Sequence, residues 1–442
     1  MKKYSKFLGL FLVLIVNNAY AEENKSTTSP NVNKESYEKE DNWKFKGQVL
    51  LRGEFDGRDF TNQTPPNAYT SMRTRLSAEK NNLFDNVDFF AQIEDSRLLG
   101  ESGAAVSNFK NLDLHQGFIN FKSPFQVPFD LQLGRFEMAY GTERFFSALP
   151  GWNYIGRAFD GARVKYSNNS LFDFKFDLFA LSINTSAKYI SNATPTTYLL
   201  PSPIDIGNGI YGFWSTSKFN PMAEINVFSY YEDNRKQTKP NINDVQRLTT
   251  GISHKGTYLE HFSTVEEFAF QKGSVSGQDV TAYVGSLQGY YNINDFKIGL
   301  GADILSGNNP NSKNTNNTIT MPYGNGHLYH GYMDYFTNIP DNTKNLGLND
   351  FYLKTAWEKK EFPLGVKFDI HHFTSNQVST NGLSTFGQEA DLTLNYAYSK
   401  QGTLIFGLSG FLPSDLFKSD MFWGKNRTDP SYWAYLMTIY NF

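Results

Sequence analysis

Along WKFKGQVLLRGEF at 43–55, Trp43, Phe45, Val49, Leu51 and Phe55 stand at odd positions and Lys44, Lys46, Gln48, Arg52 and Glu54 at even ones. A period of two puts the two sets on opposite faces of an extended strand. The alternation returns along the chain. Arg73, Arg75, Ser77 and Glu79 oppose Met72, Thr74, Leu76 and Ala78; Asp88, Gln92 and Glu94 oppose Val87, Phe89, Ala91 and Ile93. Asp173, Lys175 and Asp177 interleave with Phe172, Phe174, Phe176 and Leu178. Later, Lys297 and Asp303 oppose Phe296, Ile298 and Leu300, and Lys367, Asp369 and His371 oppose Leu364, Val366, Phe368 and Ile370. Such segments predict about eighteen strands, near 43–55, 68–79, 87–96, 112–122, 129–137, 158–167, 171–182, 208–218, 221–232, 246–255, 259–271, 280–291, 296–305, 349–359, 364–373, 387–398, 402–412 and 431–442.

The links between them alternate too. Short turns such as NNS, NP, NIND, EFP and SKQG interleave with long links near 97–111, 138–157, 183–207, 306–348 and 413–430. Short periplasmic turns and long extracellular loops mark a transmembrane β-barrel, whose strands carry one apolar and one polar face. The fold expected is therefore all-β, a single antiparallel barrel closed around a lumen. In the final segment, SYWAYLMTIYNF, Tyr432, Ala434, Leu436, Tyr440 and Phe442 share one parity. A terminal aromatic on a last alternating strand resembles the signal that bacterial outer-membrane proteins present to the barrel assembly machinery, which is an expected partner.

Composition agrees with a barrel. Aromatic residues make up 16% of the chain, while mean hydropathy is only −0.47, as expected where every second strand residue meets lipid. The N-terminus has a basic MKKYSK, an apolar FLGLFLVLIV and a small-x-small site ending at Ala21. It reads as a secretory signal peptide over 1–21, too short to span a bilayer. The polar, aperiodic stretch 22–42 reads as a flexible periplasmic lead-in, leaving 43–442 as the barrel in the outer membrane of a Gram-negative bacterium. The absence of cysteine removes disulfide frameworks, thiolate metal sites and cysteine nucleophiles. With 41 basic against 44 acidic residues, no nucleic-acid-binding face is expected. No cofactor is expected, and the barrel is expected to act as a monomer in outer-membrane lipid.

Charge is unevenly placed. Nine of the twelve arginines precede residue 164, four of them within 134–166. The strand phase turns Arg52, Glu54, Arg73, Arg75, Asp88, Glu94 and Arg163 inward. Arginine's planar fork holds carboxylates bidentately and stays charged. Arg135 falls on the register of Leu131 and Leu133 and would face lipid in a straight strand, so the strand is expected to end or bulge at 134–137 and turn it inward, with loop 138–157 folding into the mouth. Within this stretch stand Gly134-Arg135-Phe136-Glu137, Tyr140-Gly141 and Arg144, then Trp152-Asn153, Gly156-Arg157, Phe159-Asp160-Gly161 and Arg163. LSG at 305–307, HLYHGYMDYF at 327–336 and GLNDFYL at 347–353 follow. These runs resemble the alginate export family of outer-membrane barrels over nearly the whole mature chain.

The resemblance implies an anion-selective conduit passing an acidic, alginate-like polysaccharide or oligosaccharide through an arginine-lined constriction, with long loops as gates. It assigns Arg135, Arg144, Arg157 and Arg163 to the constriction and Glu137 and Asp160 to holding the arginine forks. The chain departs from that pattern in carrying only Arg235, Arg247 and Arg427 after residue 163. A general or nutrient porin, passing a small anionic solute, is the alternative on the same scaffold. An outer-membrane hydrolase built on His261 and Ser263 lacks a matching Asn context. Neither the His327/His330 pair nor His371-His372 brings a carboxylate at ligand spacing, so no metal site is expected. The Asn-rich 306–317 reads as a polar loop rather than an oxygen site for a hard cation.

Overall fold

The alternating segments become strands of one sheet. The structure, a computed structural model, describes residues 43–442 except 101–111, 150, 153–154, 183–207, 221–222, 235–243, 360 and 425. The expected leader at 1–21, the lead-in at 22–42 and the long link at 183–207 lie outside the described residues. Eighteen strands follow in order: β1 (Lys44–Gly57), β2 (Asn67–Phe84), β3 (Val87–Leu98), β4 (Leu112–Phe121), β5 (Asp130–Phe136), β6 (Phe159–Asn168), β7 (Phe174–Ser182), β8 (Asn208–Asn220) and β9 (Ala223–Asn234). The second half comprises β10 (Val245–Tyr258), β11 (Phe262–Val275), β12 (Gln278–Ile293), β13 (Phe296–Leu305), β14 (Leu348–Glu358), β15 (Leu364–Thr374), β16 (Thr385–Ala397), β17 (Gly402–Pro413) and β18 (Ser431–Asn441).

Each strand pairs antiparallel with the next, and β1 pairs with β18 from Gln48↔Asn441 to Gly57↔Tyr432, so the sheet closes. Closure leaves no unpaired edge facing lipid. The last residue completes it: Gly47 N–H donates to Phe442 O at 2.7 Å and Phe442 N–H donates to Gly47 O at 2.9 Å. The Phe442 ring lies over Gly47, where an added Cβ would come within 2.3 Å of Phe442 Cζ.

Strand bounds follow the alternation to within a few residues, with informative departures. The alternating pattern at 171–182 enters its strand only at Phe174, because Phe172 and Asp173 have φ near +54° and +45° and form the turn. Likewise Leu259 and Glu260, at φ +50° and +64°, delay β11 to Phe262. In β4 the register to β3 slips between Gln92↔Gln116 and Ile93↔Leu114. This bulge turns both His115 and Gln116 into the lumen, where both are buried.

The outward rows are apolar and exposed, as at Phe268, Leu287 and Leu300. The inward rows hold Arg52, Arg73, Arg75, Glu94 and Arg247, all buried. A second apolar core sits inside the barrel, where extracellular loops fold back into the lumen. Phe145 and Phe146 of loop 137–158, Phe336 of loop 306–347 and Phe417 of loop 414–430 pack with Phe60, Phe373, Phe386 and Phe411 in one buried cluster.

Candidate functional site

Loop 137–158 is fastened across the lumen by the arginine-rich stretch that composes it. At its start Glu137 turns inward, taking Arg75 Nη1 at 3.2 Å and His115 Nε2 at 2.6 Å. Tyr140 donates to Asp177 Oδ2 at 2.5 Å, and Arg163 meets the same pair, with Nη1 3.2 Å from Tyr140 Oη. Arg144 then reaches the far wall. Its Nε donates to Glu267 of β11 at 2.8 Å and its Nη2 to Asp303 of β13 at 2.8 Å, and the guanidinium lies 3.9 Å above the Tyr329 ring. On the return, Arg52 of β1 donates to Trp152 O at 2.5 Å and stacks 4.1 Å from the indole. Gly156 N–H reaches Glu94 at 3.4 Å. A Cβ there would lie 1.9 Å from Arg75 Nη2, so any larger residue would push the Arg75 fork from its place.

Loop 306–347 enters from the other side and meets it. Ser147 N–H donates to Tyr323 O and Asn325 N–H to Glu143 O, each at 2.9 Å; Tyr329 Oη donates to Thr142 O. The Trp152 and His327 rings stack at 3.5 Å, and His327 Nδ1 is held by Asp334 at 2.7 Å. Carboxylates of β16 hold the back of this loop, Glu389 accepting from Met333 N–H at 2.7 Å and Asp391 from Tyr332 N–H at 3.4 Å. The two loops form a diaphragm across the barrel. The second run of family-like residues, 327–336, is thus the partner of the first.

Charge balance differs from an open ring of arginines. Arg52 pairs with Glu54, Arg75 with Glu94 and Glu137, Arg144 with Glu267 and Asp303, Arg163 with Asp177, and Arg247 with Glu232. Arg73 donates to Gln48 at 2.6 Å. Burial alone would favour a neutral Arg144, but the carboxylates of Asp303 and Glu267 outweigh it and hold its pKa above the ordinary value. Arg157 is different: its guanidinium donates to two backbone carbonyls, Gly324 O at 2.9 Å and Ser147 O at 3.4 Å. Burial lowers its pKa. Burial also raises the pKa of Glu143 in the same loop.

Arg135 and Asp160 lie elsewhere than expected. The β5–β6 register sets Gln132 opposite Arg163 and Phe136 opposite Phe159, all inward, so Arg135 and its partner Asp160 point outward. They form an ion pair at 2.7 Å, with Asp160 59% exposed, at the extracellular end of the wall. The strand ends at Phe136 as expected, but alternation holds to its last residue, and a facing carboxylate replaces the inward turn. Glu137 steadies Arg75 and His115 instead of the arginines of its own loop.

Lysines, absent from the expected site residues, also face the lumen. Lys165, Lys255, Lys297 and Lys367 occupy inward positions near the periplasmic ends of β6, β10, β13 and β15. None forms an ion pair with a described carboxylate; Lys297 lies 4.1 Å over the Tyr290 ring. Parity alone marks them as inward; the register then sets Lys165 opposite Asp130 and Asp177 and Lys255 opposite Glu224, without bringing any of these into an ion pair.

A closed eighteen-stranded barrel with an apolar outer face, a charged lumen and infolded extracellular loops defines a channel of the Gram-negative outer membrane. Solved structures of that class share the fold. Pseudomonas aeruginosa OccK3 (OpdO) matches with TM-score 0.59 at 12% identity, over 90% of this chain and 95% of its own. Acinetobacter baumannii OccAB4 gives 0.56 at 11%, over 90% and 98%, and P. aeruginosa OpdK, solved with vanillate, 0.56 at 11%, over 90% and 98%. No curated protein sequence matches. The family model described as alginate export matches residues 42–422, and the chain belongs to that family.

Proposed function

We propose that this channel is anion-selective and passes an acidic, alginate-like polysaccharide or oligosaccharide, with the paired loops 137–158 and 306–347 as its gate. The observation that carries this reading is a set of lumen cations that form no ion pair with a described carboxylate: Lys165, Lys255, Lys297 and Lys367 toward the periplasm, where Asp130, Asp177 and Glu224 stand across from two of them, and Arg157 at the diaphragm. In a confined passage such charges attract a carboxylated chain strongly, because few counterions fit beside them. Of the arginines assigned by the family resemblance, Arg157 is our candidate for touching the solute, while Arg163, bound to Gln132, Tyr140 and Asp177, joins Arg52, Arg75 and Arg144, with Glu54, Glu94 and Glu137, in holding the gate, and Arg73 braces the adjoining wall. A leader over 1–21, insertion by the barrel assembly machinery and a monomeric state complete the proposal.

A second reading, uptake of a small anionic solute, is favoured by the apolar packing of the two loops inside the lumen, which leaves a long polymer less room than a compact acid. Planar-bilayer recordings separate the readings. Under a salt gradient the reversal potential should show anion preference, and oligouronates should block the current at lower concentrations than monomeric uronate. Cation preference would overturn both readings; block by small acids but not oligouronates would select the second.

A further inference from the structure

The outer wall over β10–β13 carries a feature that channel function does not use. His254 and Glu266 are cross-strand partners on the lipid-facing rows of β10 and β11, and His254 Nδ1 lies 2.6 Å from Glu266 Oε2. Glu266 keeps 37% of its side chain exposed and His254 24%. The Tyr258 hydroxyl meets His254 Nε2 at 2.9 Å, so a polar strip runs along the wall from the tyrosine toward mid-membrane. Tyr258, Phe262 and Tyr291 stand side by side at the periplasmic ends of their strands as an exposed aromatic row. Such rows sit at the membrane–water interface. The next outward row is small, Gly256, Thr264 and Gly289 in register, and Glu266 and Leu287 follow.

On the mid-membrane side of Glu266 the wall is hollowed. An open volume of about 560 Å³ lies between Ile252, Phe268, Leu287 and Ile304, floored by Gly285 and Ala302. Gly285 leaves real space, since an added Cβ meets nothing within 4 Å. Carboxylates facing hydrocarbon are costly, and this one stands between an interfacial aromatic row and an apolar hollow. Those are the positions of a lipid's headgroup and acyl chain.

We propose that this face binds one phospholipid of the periplasmic leaflet bearing a primary-amine headgroup. The ammonium donates to Glu266, and one acyl chain lies in the hollow over Gly285 and Ala302. The chemistry selects among headgroups. A primary ammonium supplies both positive charge and N–H donors; a trimethylammonium lacks the donors, and a glycerol headgroup leaves the lipid's net negative charge facing Glu266.

Native mass spectrometry of the full chain released from nanodiscs of equal parts phosphatidylethanolamine, phosphatidylcholine and phosphatidylglycerol tests this. The wild type should retain one phosphatidylethanolamine at about tenfold excess over either competitor, the ratio expected for one charge-assisted contact. Glu266→Gln should bring retention of the three lipids close to equality. Gly285→Val should remove the adduct while the protein still migrates faster unboiled than boiled, showing a folded barrel. Equal retention of the three lipids by the wild type, or an unchanged adduct in Gly285→Val, would overturn the proposal. So would a wild-type oligomer that Gly285→Val dissociates, which would make the face a contact between two copies of the chain. None of these outcomes depends on ion selectivity.

Discussion

At the scale of single residues, most of the arginine cluster acts as a set of fasteners. Arg144 is 1% exposed and leaves two equally buried carboxylates behind if removed. Breaking a buried pair by deleting one partner costs about 3–5 kcal/mol. Because the partners lie on β11 and β13 and the arginine on a loop, that cost should fall on loop seating and leave the barrel intact. Arg144→Ala should therefore show larger and noisier single-channel conductance with unchanged heat-modifiable migration; a wild-type trace would show that the loop is held by its apolar contacts alone. Glu143 adds a pH dependence. Burial raises its pKa above the ordinary carboxylate value of 4.5, and the Ser147 hydroxyl offsets this only in part. A group with a raised folded-state pKa stabilises the seated loop fully below the ordinary value and loses that contribution as pH rises through the elevated one. Conductance should accordingly climb as pH is raised above the ordinary carboxylate value and through the elevated one, and Glu143→Gln should flatten the climb. Arg135 shows how far residue-level reading reaches: its parity points outward and the resemblance gives Asp160 to an arginine fork, but that the fork is Arg135's own, on the outer face, becomes visible only once β5 and β6 are in register.

At the scale of elements, strands were legible and loops were not, for a physical reason. A strand between lipid and lumen must alternate at every step, so its pattern is local and survives without knowledge of its neighbours. The alternation even overran the true ends at 171–173 and 259–261, because turns made by residues with φ > 0 do not interrupt it. Loop 137–158 depends on partners far away in sequence: Arg144 meets Glu267 and Asp303, 123 and 159 residues on. No local pattern encodes such a contact, so the same residues read equally well as a constriction or as a latch. The bulge that adds His115 to the Arg75–Glu94–Glu137 group is a two-strand property and was equally hidden. Closure at the C-terminus combines both kinds of information. The terminal aromatic was evident, but its seat on Gly47 was not. Gly47→Val would place carbon atoms where the Phe442 ring lies, and deleting Phe442 would remove two backbone hydrogen bonds at the β1–β18 seam. Both variants should lower the yield of heat-modifiable barrel in the outer membrane, and Gly53→Val, whose added Cβ has only Thr70 Oγ1 near it at 3.7 Å, should not.

At the scale of the whole molecule, the chain carries a formal charge of −3, so any anion preference must come from where charges stand and not from their sum. At the diaphragm four carboxylates, Glu94, Glu137, Glu267 and Asp303, share two arginines, Arg75 and Arg144, so these pairs leave no cation over for a solute. At the periplasmic mouth Lys165, Lys255, Lys297 and Lys367 form no ion pair among the described residues, although Asp130, Asp177 and Glu224 stand across from two of them. Selectivity and gating should then separate under mutation. Replacing Lys255, Lys297 and Lys367 together by Gln should move the reversal potential toward zero while leaving single-channel noise as in the wild type. Arg144→Ala should do the reverse, altering noise more than reversal potential. Salt provides an internal check, because the Debye length shortens from about 10 Å at 0.1 M to about 3 Å at 1 M. The lysine contribution should therefore fade at high salt, where the triple variant and the wild type converge, whereas the buried Arg144 pairs are shielded from ions and their effect should persist. If the triple Gln variant keeps full anion preference at low salt, the selective charges lie at the diaphragm, with Arg157 first among them.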